Sequence, residues 1–161
     1  MARRVFFSFH HQGDIRRIGQ IRNSWVTKPN QEDAGFVDAA QWESIKRLGD
    51  DAVKRWIATQ LEGTSVTVVL IGAETANRPW VIHEIVESHN KGNGLLGIYI
   101  HNCRDLDGRT CTQGANPFDR VHIKGSQKSL VAEYPVYDWV YHDGYKNMGR
   151  WIEEAARKAS K

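Results

Sequence analysis

The sequence predicts a doubly wound α/β domain, and three observations carry that prediction. Strand-like and helix-like stretches alternate almost strictly along the chain, the pattern of a parallel sheet with helices on both faces. The segment "TSVTVVLIG" (64–72) is apolar at successive positions, as a central parallel strand buried on both faces must be. The segment that follows, "RPWVIHEIVESHNKG", has helical punctuation, with Pro79 in the first turn and Gly92 as the stop. A chain of 161 residues fits one domain, residues 1–161.

Each element can be justified in turn. "RRVFFSF" (3–9) is rich in aromatic and β-branched residues and predicts the first strand. "DIRRIGQIRNSW" places Ile15, Ile18, Ile21 and Trp25 at helical spacing. "KPNQED" reads as loop and "AGFVDA" (34–39) as a short second strand. "DDAVKRWIATQLEG" carries the stripe Val53, Ile57, Leu61, with two aspartates at its start and Gly63 at its end. After the central strand and its helix, "LLGIYI" (95–100) is the next strand, and residues 101 to about 130 read as a long polar loop. "YPVYDWV" predicts a short edge strand. "GYKNMGRWIEEAARKAS" predicts a last helix with Tyr145, Met148, Trp151 and Ile152 on its core face. Folds of this class bind ligands beyond the carboxyl ends of the strands. The loops after Phe9, Asp38, Gly72 and Ile100 therefore form the expected rim.

Composition narrows the function. With 25% charged residues, a net charge of +3 and no dense Lys/Arg stripe, neither nucleic acid nor a membrane is the expected partner. "RR" near the start precedes too short an apolar run for a signal peptide, so a soluble, cytoplasmic protein is expected. Cys103 and Cys111 match no zinc or redox spacing and read as plain thiols. The histidines have no HxxxH or HExxH relation, so no metal site is expected. "GNGLLG" (92–97) satisfies GxGxxG, but it follows a helix and enters a strand, the reverse of a dinucleotide-binding turn. "DLDG" (105–108) lacks the glutamate of a calcium loop.

The carboxylate that draws attention is Glu84, under two turns into the helix after the central strand. Val81, Ile82, Ile85, Val86 and His89 form the predicted apolar arc. Glu84 falls just off its edge, sharing a side with Trp80, Glu87 and Ser88. That placement predicts a half-covered, ionised carboxylate facing the rim, suited to stabilising positive charge or holding sugar hydroxyls. An ordinary solvated helix glutamate satisfies the same wheel.

Several segments together resemble a known family. "RRVFFSFHHQGD", "RNSWVTKPNQEDAGFVDAAQWES", "TSVTVVLIGAETANRPWVIHEI", "KGNGLLGIYI" and "YPVYDWVYHDGY" are similar to the TIR-like proteins of bacterial antiphage defence, in the ThsB branch of Thoeris systems. The resemblance implies a flavodoxin-like sheet, and an enzyme that cleaves NAD at the nicotinamide–ribose bond through a glutamate on the third helix. That glutamate follows a tryptophan by four residues in the family pattern SxWCxxE. Here Trp80 and Glu84 match, Asn77 or Arg78 stands near the serine, and Val81 replaces the cysteine. In the first box, FISYxxxD, Phe7, Ser8, Phe9 and Asp14 align, with His10 and His11 where the loop would approach substrate. The resemblance thus implies Glu84 as catalytic residue. The substrate-binding set it suggests is Ser8, Phe9, His10, Asp38, Trp42, Asn77 and Trp80, with Phe9, Trp42 and Trp80 as possible ring-stacking partners. NAD is then substrate, no further cofactor is implied, and the partner is a separate effector reached by a cyclic ADP-ribose-type signal. The alternatives it leaves are ADP-ribose transfer to an amino acid such as histidine, and a non-catalytic TIR module acting by self-assembly.

Overall fold

The computed structural model describes residues 3–26, 31–37 and 39–161. Five parallel strands, β1 (Arg3–Ser8), β2 (Gln31–Ala34), β3 (Val66–Ile71), β4 (Gly94–Tyr99) and β5 (Val136–Asp138), lie in the order β2-β1-β3-β4-β5. This is the flavodoxin-like strand order that the resemblance implies. Strand order reverses between β1 and β3, which opens a crevice at their carboxyl ends. Among the described residues, five helices surround the sheet: α1 (His11–Val26), α2 (Ala39–Lys46), α3 (Asp50–Leu61), α4 (Pro79–Lys91) and α5 (Gly144–Lys158).

Alternation along the strands sorts the core into two layers. Val5, Phe7, Val68, Leu70, Leu96 and Ile98 pack with α1 and α5 on one face. On the other face, Val69, Ile71 and Leu95 meet Val81 and Ile85 of α4, while Phe6 meets Trp42 of α2 and Val53, Ile57 and Leu61 of α3. β3 is buried at every position, as its run of apolar residues interrupted only by Thr67 predicts. α4 begins on Pro79, and Gly92 closes it in the left-handed conformation at φ 84°.

Several sequence expectations need correction. The second strand is not 34–39 but Gln31–Ala34: it is an edge strand paired only with β1, where polar side chains are tolerated and its residues QEDA belong. Asp38, expected to end that strand, lies outside the described residues, as does part of the loop read over "KPNQED". Helix α2 has no counterpart in the sequence reading, and it carries Trp42 into the core. On α5, Tyr145 is 73% exposed, and the core face is Met148, Trp151, Ile152, Ala155 and Ala156. The segment after β4 is less irregular than its polarity suggests: 3-10 turns at Pro117–Arg120 and Leu130–Ala132 bury Phe118 and Leu130 against β3, β4 and α4.

One close approach fixes the seat of α5. A Cβ at Gly94 would stand 2.4 Å from the carbonyl oxygen of Ala155. Gly94→Ala is therefore expected to destabilise the fold by about 1–3 kcal/mol through overpacking, measured as a lowered denaturation midpoint with unchanged slope.

Candidate active site

A cavity of about 220 Å³ opens between the carboxyl end of β1, the start of α4 and the helix α2. Its floor is buried: Phe9, His11, Trp42, Val81 and Glu84. His10, Lys46, Arg78 and Trp80 are partly exposed and form the rim, with Gln12 and Pro79 outside them.

Glu84 is 2% exposed, which corrects the expectation of a half-covered group. The buried stripe of α4 is Val81, Glu84, Ile85 and Ser88, rotated from the arc that hydrophobicity alone selects. Two hydroxyls from the central strands accommodate that rotation. Ser8 Oγ donates to Glu84 Oε1 at 2.7 Å, and Thr67 Oγ1 pairs with Ser88 Oγ at 2.7 Å. Strand alternation turns Ser8 to the face of Phe6, toward α4, so the strand pattern itself delivers the partner. Among the described residues, Glu84 Oε2 has no hydrogen-bond partner. Burial pushes the carboxyl up to about 8, against a smaller downward pull from the Ser8 bond. At neutral pH the free site therefore holds Glu84 mainly as the neutral acid, not the carboxylate expected from its helical position.

An aromatic wall stands beside it. The His11 ring stacks on Phe9 at 4.1 Å and 10°, and meets Trp42 at 4.6 Å. Burial, with His10 and Lys46 adding, lowers His11 to about 4, so its imidazole is neutral. His11 Nδ1 lies 3.4 Å from the Phe9 carbonyl, and Nε2 is buried without a partner among the described residues. With the Nδ1–H tautomer, Nε2 is an acceptor. Among the described residues, two cavity-lining residues thus carry a buried polar atom without a partner, Glu84 Oε2 and His11 Nε2. Natural interiors rarely leave such groups unpaired without a ligand or water to satisfy them.

Behind the cavity, a buried network braces the strand ends. Asp14 Oδ1 stands 3.6 Å from an Arg17 guanidinium nitrogen. Arg17 in turn donates to the carbonyls of Cys103 and Arg109 and lies 3.8 Å from Asp105. Burial lifts Asp14 to about 6, although Arg17, Thr75 and Arg78 pull it down. A Cβ at Gly72 would collide with this carboxylate and one at Gly114 with the Gly72 carbonyl, so the lack of a side chain at both positions lets the segment after β4 lie close against the end of β3.

Of the residues singled out from sequence, Phe9, His10, Trp42, Trp80 and Glu84 line the cavity, and Ser8 bonds Glu84 from behind. Asn77 does not line it: it sits exposed in the 3-10 turn Thr75–Asn77, donating to Glu74 at 3.2 Å. Asp38 lies outside the described residues. Lys46 and Arg78 join the site without having been expected there from sequence. Lys46 depends on α2, whose signal is the "AAQWESIK" run of helix formers with Trp42 and Ile45 at helical spacing.

Comparison with known proteins agrees with this architecture. Residues 6–105 match the family model described as Thoeris protein ThsB, TIR-like domain. The chain is also 40% identical to the "Putative cyclic ADP-D-ribose synthase ThsB1" of Bacillus cereus (strain MSX-D12), over 94% of this chain and 100% of that protein. The chain belongs to the Thoeris ThsB TIR-like family. The matched span of the family model runs from β1 past α4 and β4, so it includes Ser8, Trp80 and Glu84. Among the described residues no helix is long and apolar enough to cross a membrane.

Proposed function

We propose that this protein processes NAD, cleaving the nicotinamide–ribose bond and rejoining the freed carbon within the same molecule to give a cyclic ADP-ribose-type signal for a separate effector. The observation that carries the reading is Glu84: a buried residue lining the cavity, held by Ser8 through one oxygen, with its other oxygen buried and without a hydrogen-bond partner among the described residues. The name of the Bacillus cereus relative supports the cyclic product.

The chemistry follows from the geometry. In NAD the nicotinamide nitrogen carries a positive charge. When the C1′–N bond breaks, its electron pair goes to that nitrogen and nicotinamide leaves as a neutral base, needing no acid. Positive charge then develops on the ribose, as in glycoside transfer. A carboxylate fixed by Ser8 stabilises that charge in a site shielded from water. The pyridinium cation itself favours loss of the Glu84 proton on binding, since an opposite charge nearby lowers a carboxyl pKa. The acceptor atom of the substrate closes the ring and releases its proton. Phe9, His11 and Trp42 supply flat apolar surface for a ring.

The test is mass spectrometry of small molecules formed from NAD by purified protein, and by extracts of expressing cells before and after phage infection. Free nicotinamide with a product one water lighter than ADP-ribose is expected. An adduct of ADP-ribose with histidine would replace the cyclic product by amino-acid transfer. Intact NAD under every condition would remove the enzyme reading.

A further inference from the structure

We propose that Lys46 and Arg78 form a diphosphate clamp at the rim of this cavity, which makes the protein select a dinucleotide over a nicotinamide nucleoside. The inference rests on the NAD reading and assigns the charged middle of that substrate.

Size comes first. A cavity of about 220 Å³ falls below the ~300–1,000 Å³ usual for small-molecule sites. It accommodates one end of a dinucleotide, and the diphosphate must cross the rim. The groups that satisfy a sugar or ring lie on the floor, where Glu84 Oε2 and His11 Nε2 are buried and unpartnered. Both residues are more than nine-tenths buried.

The cations lie above that floor. Arg78 is the N-cap residue of α4, partly exposed, and its Nε is buried without a partner among the described residues. It lines the cavity together with Phe9 and His10 at the carboxyl end of β1, and its charge lowers the pKa of both His10 and Asp14. Helix α4 has no side-chain cap and no acidic residue in its first turn. The N–H groups of Trp80 and Val81 thus add to the positive end of a 13-residue helix. Lys46 reaches the same rim from the end of α2, with its side chain 32% exposed. It pairs with Glu43 at 2.8 Å. An ammonium has three donors, so that pair leaves others for an anion. A fork-shaped guanidinium, an ammonium and free helix N–H groups around one opening suit two linked phosphates.

The test is calorimetric binding of NAD, nicotinamide riboside and inorganic pyrophosphate to the full chain, for wild type, Lys46→Gln, Arg78→Gln and Arg78→Lys. Wild type should bind NAD, and pyrophosphate should compete with it. Lys46→Gln and Arg78→Gln should each weaken NAD about tenfold or more, leave nicotinamide riboside unchanged and weaken pyrophosphate. Arg78→Lys should recover part of the loss. Lys46 lies on the surface of α2, so its variant keeps the test valid where Arg78→Gln fails to fold. Equal weakening of NAD and nicotinamide riboside, or unchanged NAD binding in the Lys46 variant, would overturn the clamp. If wild type binds pyrophosphate in an Arg78- and Lys46-dependent way but binds neither NAD nor nicotinamide riboside, the clamp stands as an anion site and the NAD reading falls. If it binds none of the three, both fall.

Discussion

Glu84→Gln is expected to lower nicotinamide release from NAD by about a hundred- to a thousandfold, the usual effect of removing one preorganised electrostatic group, in a protein that remains folded. The substitution suits this site well. In the free protein Glu84 is mainly the neutral acid, its carboxyl pushed to about 8 by burial. Glutamine is neutral, nearly the same shape, and keeps an oxygen to accept the Ser8 hydrogen bond. What it cannot do is ionise when the pyridinium arrives.

Stability then separates chemistry from folding. A carboxyl whose folded pKa is raised from 4.5 to about 8 makes the folded state the better proton binder across that window. The stability it confers is complete below about pH 4.5 and is lost as pH rises toward 8. Glutamine escapes that loss. Relative to wild type, Glu84→Gln should therefore gain stability steadily from pH 5 to pH 8.5, followed as the difference in denaturation midpoint. A folded variant with undiminished turnover would remove Glu84 from the mechanism. A stability difference independent of pH would mean that Glu84 is ionised in the free site.

Much of the fold is legible in the sequence because its periods are simple. β3 carries an apolar run interrupted only by Thr67, α3 a clean Val53, Ile57, Leu61 stripe, and α4 a proline start and glycine stop. What escapes is set by tertiary context. β2 reads QEDA, and no hydrophobic period marks a short strand at a sheet edge with one neighbour. α2 is eight residues long, too short for its stripe to stand out. Glu84 is legible as a candidate through its place after the central strand. Its burial is not, because the apolar wheel treats glutamate and serine as solvent-facing. The wheel has no account of Ser8 and Thr67, which lie far from α4 in sequence and supply hydroxyls to Glu84 and Ser88. The cavity combines β1, α2 and α4, so it becomes visible only when the sheet order brings those elements together.

The same proton predicts the pH dependence of the reaction. If the ionised form of Glu84 stabilises the cationic ribose, kcat/KM for NAD should rise about tenfold per pH unit below pH 8 and level off above it, since that ratio reports the free protein. kcat reports the bound complex, where the pyridinium cation favours the carboxylate. Its rise should therefore lie at lower pH than that of kcat/KM. Binding of NAD near neutral pH should release a proton, read as a binding enthalpy that changes with the ionisation enthalpy of the buffer. Ser8→Ala sharpens the test. Ser8 donates to Glu84 Oε1 at 2.7 Å, and that hydrogen bond lowers the pKa of the carboxyl. Without it the pKa moves further up, and the kcat/KM profile should move to the alkaline side. Activity at pH 7 should fall about tenfold for every pH unit the profile moves, and recover as the pH rises. A loss that is the same at every pH would instead mean that Ser8 acts by shaping the strand end, and a wild-type profile flat from pH 6 to 9 would mean that the Glu84 proton plays no part in the reaction.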